Sequence, residues 1–372
     1  MNRDAHYYAI LAFCRACGFN KDSALTIAYA SQFVDDAKIN LMFINNLPSL
    51  QLLHDRVNHR PAFFNMATCH SYFQMRTFNY EAMVNNTTAF HFVPGCKGEN
   101  FTKMLRCTEE SPVILDIIKD VFLEDDLIKL GIVLHVYADT FSHQGFSGVL
   151  SKVNDIKNCI AKTKVESGIL EELLAFWERL SPTRYEKSLD HLLPAYGHCQ
   201  ALELPDLPYV EWSYEYDYSD EFNGSYKLIE IKNKERYQRA FLNLKKYLEA
   251  YLIKHKQYFD RNVRFENYDL LLETLIKEGT NKVREKHWQN TLIEQGLFNK
   301  QERDLIVYDE DKWLRKAFLN FDHKDFNQRE VDGVQLAKSF PESHWYGFYL
   351  AVKWYKKKFF EYCTKHQITI PN

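Results

Sequence analysis

Residues 130–148 read LGIVLHVYADTFSHQGFSG, a run whose polar members His135, Asp139 and His143 recur at every fourth position. At about 100° per residue these three share one helical stripe about 80° wide. Around the stripe stand Leu130, Ile132, Val133, Leu134, Val136, Ala138 and Phe141, so such a helix is buried nearly all round. Burying two imidazoles and a carboxylate without partners is costly. A cation that accepts the ring lone pairs and neutralises the carboxylate removes most of that cost. The stripe is therefore a candidate metal-ligand set. The alternative is a buried His135–Asp139 hydrogen bond with His143 facing solvent at the helix end.

A helix buried on every side requires a large surrounding fold, and the composition agrees. Gly (13) and Pro (10) together make up about 6% of the 372 residues, half the usual ~12%. Aromatic residues reach 15%. Few turn-formers and many rings argue against a many-turned β architecture and against disorder. The expected class is all-α, a multi-helix bundle. Net charge is −3, which gives no strong nucleic-acid signature. The eight Cys are scattered and read as reduced core thiols, with Cys14-x-x-Cys17 lacking a second pair. No window is apolar over the ~18 residues of a membrane span. The first residues show no cleavable signal pattern, so the expected location is cytoplasmic, or exported by a route without such a signal.

Outward from the stripe, Asp4 caps a helix from about Ala5 to Cys17, stopped by Gly18. Asn20 or Asp22 opens a second helix to about Asp36. Ser111-Pro112 opens another to about Phe122, and Leu127 to Ser142 forms the stripe helix. Residues 37–110 read as short helices, loops or an isolated hairpin. Residues 151–180 read as one or two further helices, and 181–226 as a loop-rich stretch with the run EWSYEYDYSDEF. Four to six helices follow, the last from Glu342 to His366. The organisation predicted is a helical metal-binding domain over 1–215 and a C-terminal helical region over 216–372 packed on it.

Further ligand candidates occupy similar settings. His6 is on the apolar side of the first helix. Asp35 and Asp36 end the second, where carboxylates oppose the helix dipole unless a cation satisfies them, the alternative being a solvated helix end. His70 follows the small apolar stretch 66–69. His198 and Asp206 lie in PAYGHCQALELPDLPYVEW, with Pro205 and Pro208 fixing the loop. Gln144 and Ser147 follow His143 and are candidate substrate contacts. His54-Asp55 has the look of an exposed helix, and Lys353 with Lys356 to Lys358 of a solvated face.

HVYADTFSHQGFSG, with DAHYYAI, ASQFVDDA and GHCQALELPDLPY, resembles an uncharacterised bacterial family with an HxxxDTxxHQGF signature. More distantly the chain is similar to the zinc-dependent phospholipase C and S1/P1 nuclease superfamily, all-helical enzymes that hold zinc with His and Asp and hydrolyse phosphoesters. The resemblance implies His135, Asp139 and His143 as the central ligands and His6 as an early one. It implies Asp35 as a metal bridge and His70 as an intermediate ligand. The superfamily's late H-x-x-x-E pair is absent, and residue 1 is Met where the superfamily often uses a processed Trp amine. One or two ions, with His198 and Asp206 replacing missing ligands, fit better than three.

An imidazole and carboxylate donor set without thiolate suits zinc first, with manganese or iron also accepted. The expected function is metal-dependent hydrolysis of a small or polymeric phosphoester by metal-activated water, with Asp35 or Asp36 as general base or bridge. No GxGxxG, Walker A, GxSxG or HExxH motif supports another chemistry. The competing expectation is a helical binding or interaction protein whose metal site is structural or vestigial.

Overall fold

The computed structural model describes residues 1–47, 52–69, 80–165, 193–216 and 228–370. His70 lies outside them. Helix α1 begins as π-helical turns over Asp4–Ala9 and continues as α-helix over Ile10–Cys17, ending on Gly18 at φ 103°. The Asn20 side chain caps α2 (Lys21–Asp36) by accepting from Ser23 N–H. Three short strands follow: β1 (Leu41–Ile44), β2 (Asp55–Val57) and β3 (Arg60–Phe64). Helix α3 runs through Tyr80–Ala82, π-helical Met83–Thr88 and Ala89–His91. Then come α4 (Pro112–Val121) and α5 (Leu127–Ser142), the latter capped by Asp126, which accepts from Ile128 and Lys129 N–H. Strand β4 (Ile156–Ala161), β5 (Glu211–Tyr216) and β6 (Leu228–Lys232) lead into α6 (Asn233–Lys254). The chain closes with α7 (Tyr268–Leu275), α8 (Asn281–Glu294), α9 (Lys312–Ala317), β7 (Glu330–Val334) and α10 (His344–Lys365).

Helix α5 is the axis. Every residue from Leu130 to His143 is buried, and α2, α4, α6, α10 and the end of α3 pack around it. One hydrophobic core includes Ile10, Ile27, Val133, Phe241, Trp288 and Phe359, so residues from both halves of the chain share it.

The all-α expectation is wrong: the fold is mixed α/β. A four-stranded mixed sheet has the order β2-β3-β1-β7, with β1 antiparallel to β3 and parallel to β7. A three-stranded antiparallel sheet has the order β4-β5-β6 and carries a second, smaller core around Phe146, Trp212 and Tyr214. The shortage of turn-formers misled because most of these strands pair across long connections. Among the described residues only β2–β3 uses a tight turn, at Asn58 and His59 with φ 50° and 65°. Residues 156–161, expected as helix, form β4. Within 211–216 the start of the acidic-aromatic run is strand β5, whose buried Trp212 and Tyr214 face the small core.

Candidate metal centre

Asp139, fully buried on α5, gathers the site. Its Oδ1 is 3.0 Å from His6 Nε2. Its Oδ2 is 3.1 Å from His91 Nδ1, 3.3 Å from His135 Nε2 and 3.6 Å from His143 Nδ1. Asp35 Oδ1 approaches from α2, 3.7 Å from His135 Nε2 and 3.8 Å from His91 Nδ1. On the other side Asp206 Oδ1 is 3.0 Å from His143 Nε2, and its Oδ2 is 3.5 Å from His198 Nε2. The Met1 nitrogen stands between the two carboxylates, 2.7 Å from Asp139 and 3.1 Å from Asp206. Three sets offer ligand atoms within 4.8 Å of one another: His6, Asp35 and His135; His91, His135 and Asp139; and His143, His198 and Asp206.

Local structure explains how the side chains converge. Stripe residues His135, Asp139 and His143 leave α5 on one side, as their spacing requires. Two π-helical segments supply further histidines. His6 lies within the first, stacked on His135 with ring centroids 3.8 Å apart, and His91 ends the helix that follows the second. Single-turn π segments recur at functional sites because the extra residue redirects a side chain.

Three of the ring orientations are compatible with metal ligation. A carbonyl can only accept, so each contact to one places an N–H on the ring nitrogen that faces it. His91 Nε2–H donates to the Thr68 carbonyl at 3.0 Å, leaving Nδ1 aimed at Asp139. His143 Nδ1–H donates to the His91 carbonyl at 2.8 Å, leaving Nε2 toward Asp206. His198 Nδ1–H donates to the Leu202 carbonyl at 2.7 Å, again leaving Nε2 toward Asp206. Backbone anchoring of the far nitrogen is the usual outer support of a histidine ligand. His6 and His135 face the carboxylates through Nε2, and their far Nδ1 atoms are buried without a hydrogen-bond partner, so these two rings lack the backbone anchor of the other three.

Protonation states agree. Burial outweighs the nearby carboxylates and pushes His6 and His198 down to about 4, and His135 well below the usual imidazole range. Burial alone would raise Asp139, but His143, the Met1 amine, His6 and His135 hold it well below the ordinary carboxylate range. Asp206 is held low against burial by the amine, His198 and His143. The Met1 amine, which burial would lower, is raised to about 11 by Asp139, Asp206 and Asp35. Neutral imidazoles facing ionised carboxylates are the metal-binding forms. Asp35 differs. Burial and the Asp139 charge push it well above its usual range, and its side chain, 25% exposed, forms an open edge of the cluster.

Of the sequence candidates, His6, Asp35, His135, Asp139, His143, His198 and Asp206 come together. Asp36 stands apart, accepting from Tyr308 Oη at 2.7 Å and Gln32 Nε2 at 3.3 Å. Gln144 Nε2 donates to the Phe141 carbonyl at 3.3 Å, and the Ser147 hydroxyl is buried without a partner. Neither belongs to a ligand set. His54-Asp55 is not an exposed helix: Asp55 begins β2 and accepts from Tyr349 Oη and Lys353 Nζ. Sequence reasoning missed His91. Its one signal is a lone imidazole in the apolar run Ala89-Phe90-His91-Phe92-Val93. A separate group, Glu310, Asp311 and His323, is at the surface, where Asp311 already accepts from His323.

No curated protein and no solved structure matches the chain. A family model described as "Family of unknown function (DUF6765)" matches residues 1–363. The chain belongs to that family.

Proposed function

We propose that this member of a family of unknown function is a metal-dependent hydrolase of phosphoesters, holding one or two ions, zinc first and manganese or iron as alternatives. The observation that carries the reading is the convergence of five imidazoles on Asp35, Asp139 and Asp206, with three of the rings anchored by backbone carbonyls so that the opposite nitrogen faces a carboxylate. His6, His91 and His135 with Asp35 and Asp139 would hold one ion; His143, His198 and Asp206 would hold a second. A bound ion of this kind lowers the pKa of its water toward ~7. Asp35, at the open edge of the cluster, is suited to take a proton from a nucleophilic water. The ionised Asp139 and Asp206 orient the imidazoles and balance their charge. The phosphoester class follows from the resemblance of HVYADTFSHQGFSG to the zinc-dependent phospholipase C and P1 nuclease superfamily and from adjoining ligand sets, since paired ions suit phosphoryl oxygens. The near-complete burial of His6, His135 and Asp139 favours a second reading, a closed structural ion.

Turnover of bis-p-nitrophenyl phosphate and p-nitrophenyl phosphate with zinc, manganese or iron separates the readings. Hydrolysis of at least one substrate, abolished by chelation and by Asp35→Asn, is expected. Stoichiometric metal with no turnover would favour the structural ion, and turnover surviving both chelation and His135→Ala would exclude the proposed mechanism.

A further inference from the structure

The lysine run on α10, legible as a solvated face, contains one member that points inward. Lys357 and Lys358 reach Glu361 and Asp120 at the surface, whereas Lys356 is 5% exposed. Its ammonium is held by neutral oxygens: the Asn65 carbonyl and Oδ1, both at 2.9 Å, the Ala67 carbonyl at 3.3 Å and Asn86 Oδ1 at 3.4 Å. Among the described residues no carboxylate forms an ion pair with it. Burial pushes its pKa down to about 7. The charge of Glu81 only partly offsets that burial, and an ammonium held by neutral oxygens is expensive to bury, so those oxygens must be worth holding.

Those oxygens belong to two segments that meet at His91. Asn65 and Ala67 lead into Thr68, whose carbonyl accepts His91 Nε2–H. Thr68 is itself tied to the end of α2, its hydroxyl donating to the Val34 carbonyl at 2.6 Å and its N–H to the Ala37 carbonyl at 3.0 Å. Asn86 lies in the π-helical turns of α3 that deliver His91. Beside it, Tyr355 Oη donates to the Ala89 carbonyl at 2.8 Å. We propose that Lys356 is a positioning residue for His91: by clamping the 65–67 segment to α3 it fixes the Thr68 carbonyl and with it the ring whose Nδ1 faces Asp139 and Asp35. This rests on the metal reading of the cluster.

The test is a cobalt(II) titration of the full chain, followed by calorimetry and by the visible spectrum, in wild type, Lys356→Met, His91→Ala and the double variant. Lys356→Met is expected to weaken cobalt affinity about tenfold and to shift the spectrum. In the His91→Ala background the same substitution is expected to cost nothing further, which a merely structural lysine would not satisfy. Unchanged affinity and spectrum in Lys356→Met, or a cost undiminished by His91→Ala, overturns the proposal while leaving the metal reading intact. Absence of cobalt binding by wild type overturns both. Circular dichroism in chelator checks the fold, with Lys356→Gln as a second variant. Failure of both variants to fold without metal also overturns the proposal, because Lys356 would then hold the core rather than one ligand.

Discussion

Asp139 meets imidazoles of His6, His91, His135 and His143 with a single carboxylate, so its charge is the term no neighbour can replace. Asp139→Asn keeps the shape and removes the charge, and metal affinity is expected to fall by about a hundredfold or more, measurable by competition with a chelating dye. Three residues of the cluster set opposite pH dependences in the metal-free chain. His6 and His198 are held down to about 4, below the ~6.5 of an unfolded chain. Between those values protons bind the unfolded state first, so stability from neutral rings is complete above about pH 6.5 and is lost as pH falls toward 4. Melting in chelator is expected to show that decline and His198→Gln to weaken it; an identical decline in the variant would contradict the assignment. Asp35 has the reverse sign. Its raised carboxyl makes ionisation costly as pH rises above ~4. Asp35→Asn is therefore expected to stabilise the metal-free chain at pH 7 while weakening metal binding.

At the scale of elements, the site depends on how closely α2 approaches α5. A Cβ on Gly131 would come within 2.4 Å of the Ile27 carbonyl and 2.7 Å of Ala30 Cβ. Gly131→Ala is expected to cost about 1–3 kcal/mol in urea unfolding and to loosen metal by moving Asp35 from His135. The segment carrying His6 is fastened from the far end of the chain. Arg284 on α8 meets Asp4 at 2.8 and 3.0 Å, both side chains essentially inaccessible. Arg284→Met is expected to destabilise by about 3–5 kcal/mol through the orphaned Asp4 carboxylate, with much of the loss recovered by adding Asp4→Leu. The helices α2 and α5 were legible because their caps and apolar spacing are local, and the i, i+4, i+8 stripe placed three candidate ligands on one face. The strands were not. β1 and β7 pair from opposite ends of the chain, and β5 carries acidic residues on the alternate positions that made it read as a loop. His91 escaped for a related reason: its place in the cluster comes from the Thr68 carbonyl and Asp139, both distant in sequence.

The whole molecule is built around α5, whose burial was readable and whose wrapping was not. Helices α6 and α10, beyond residue 215, cover it, and the shared core joins Val133 to Phe241 and Phe359. A chain ending at residue 215 is therefore expected to lack a cooperative thermal transition. Metal bound at a hundredfold excess over its dissociation constant is expected to stabilise the intact chain by about 2.7 kcal/mol. The most direct test of the central claim is elemental analysis of protein purified without added metal. The account predicts at least one equivalent of a transition metal, zinc foremost, in the wild-type chain, and a clear loss in both His135→Ala and Asp139→Ala. Substoichiometric metal in wild type, with no added ion raising its melting temperature, would contradict it.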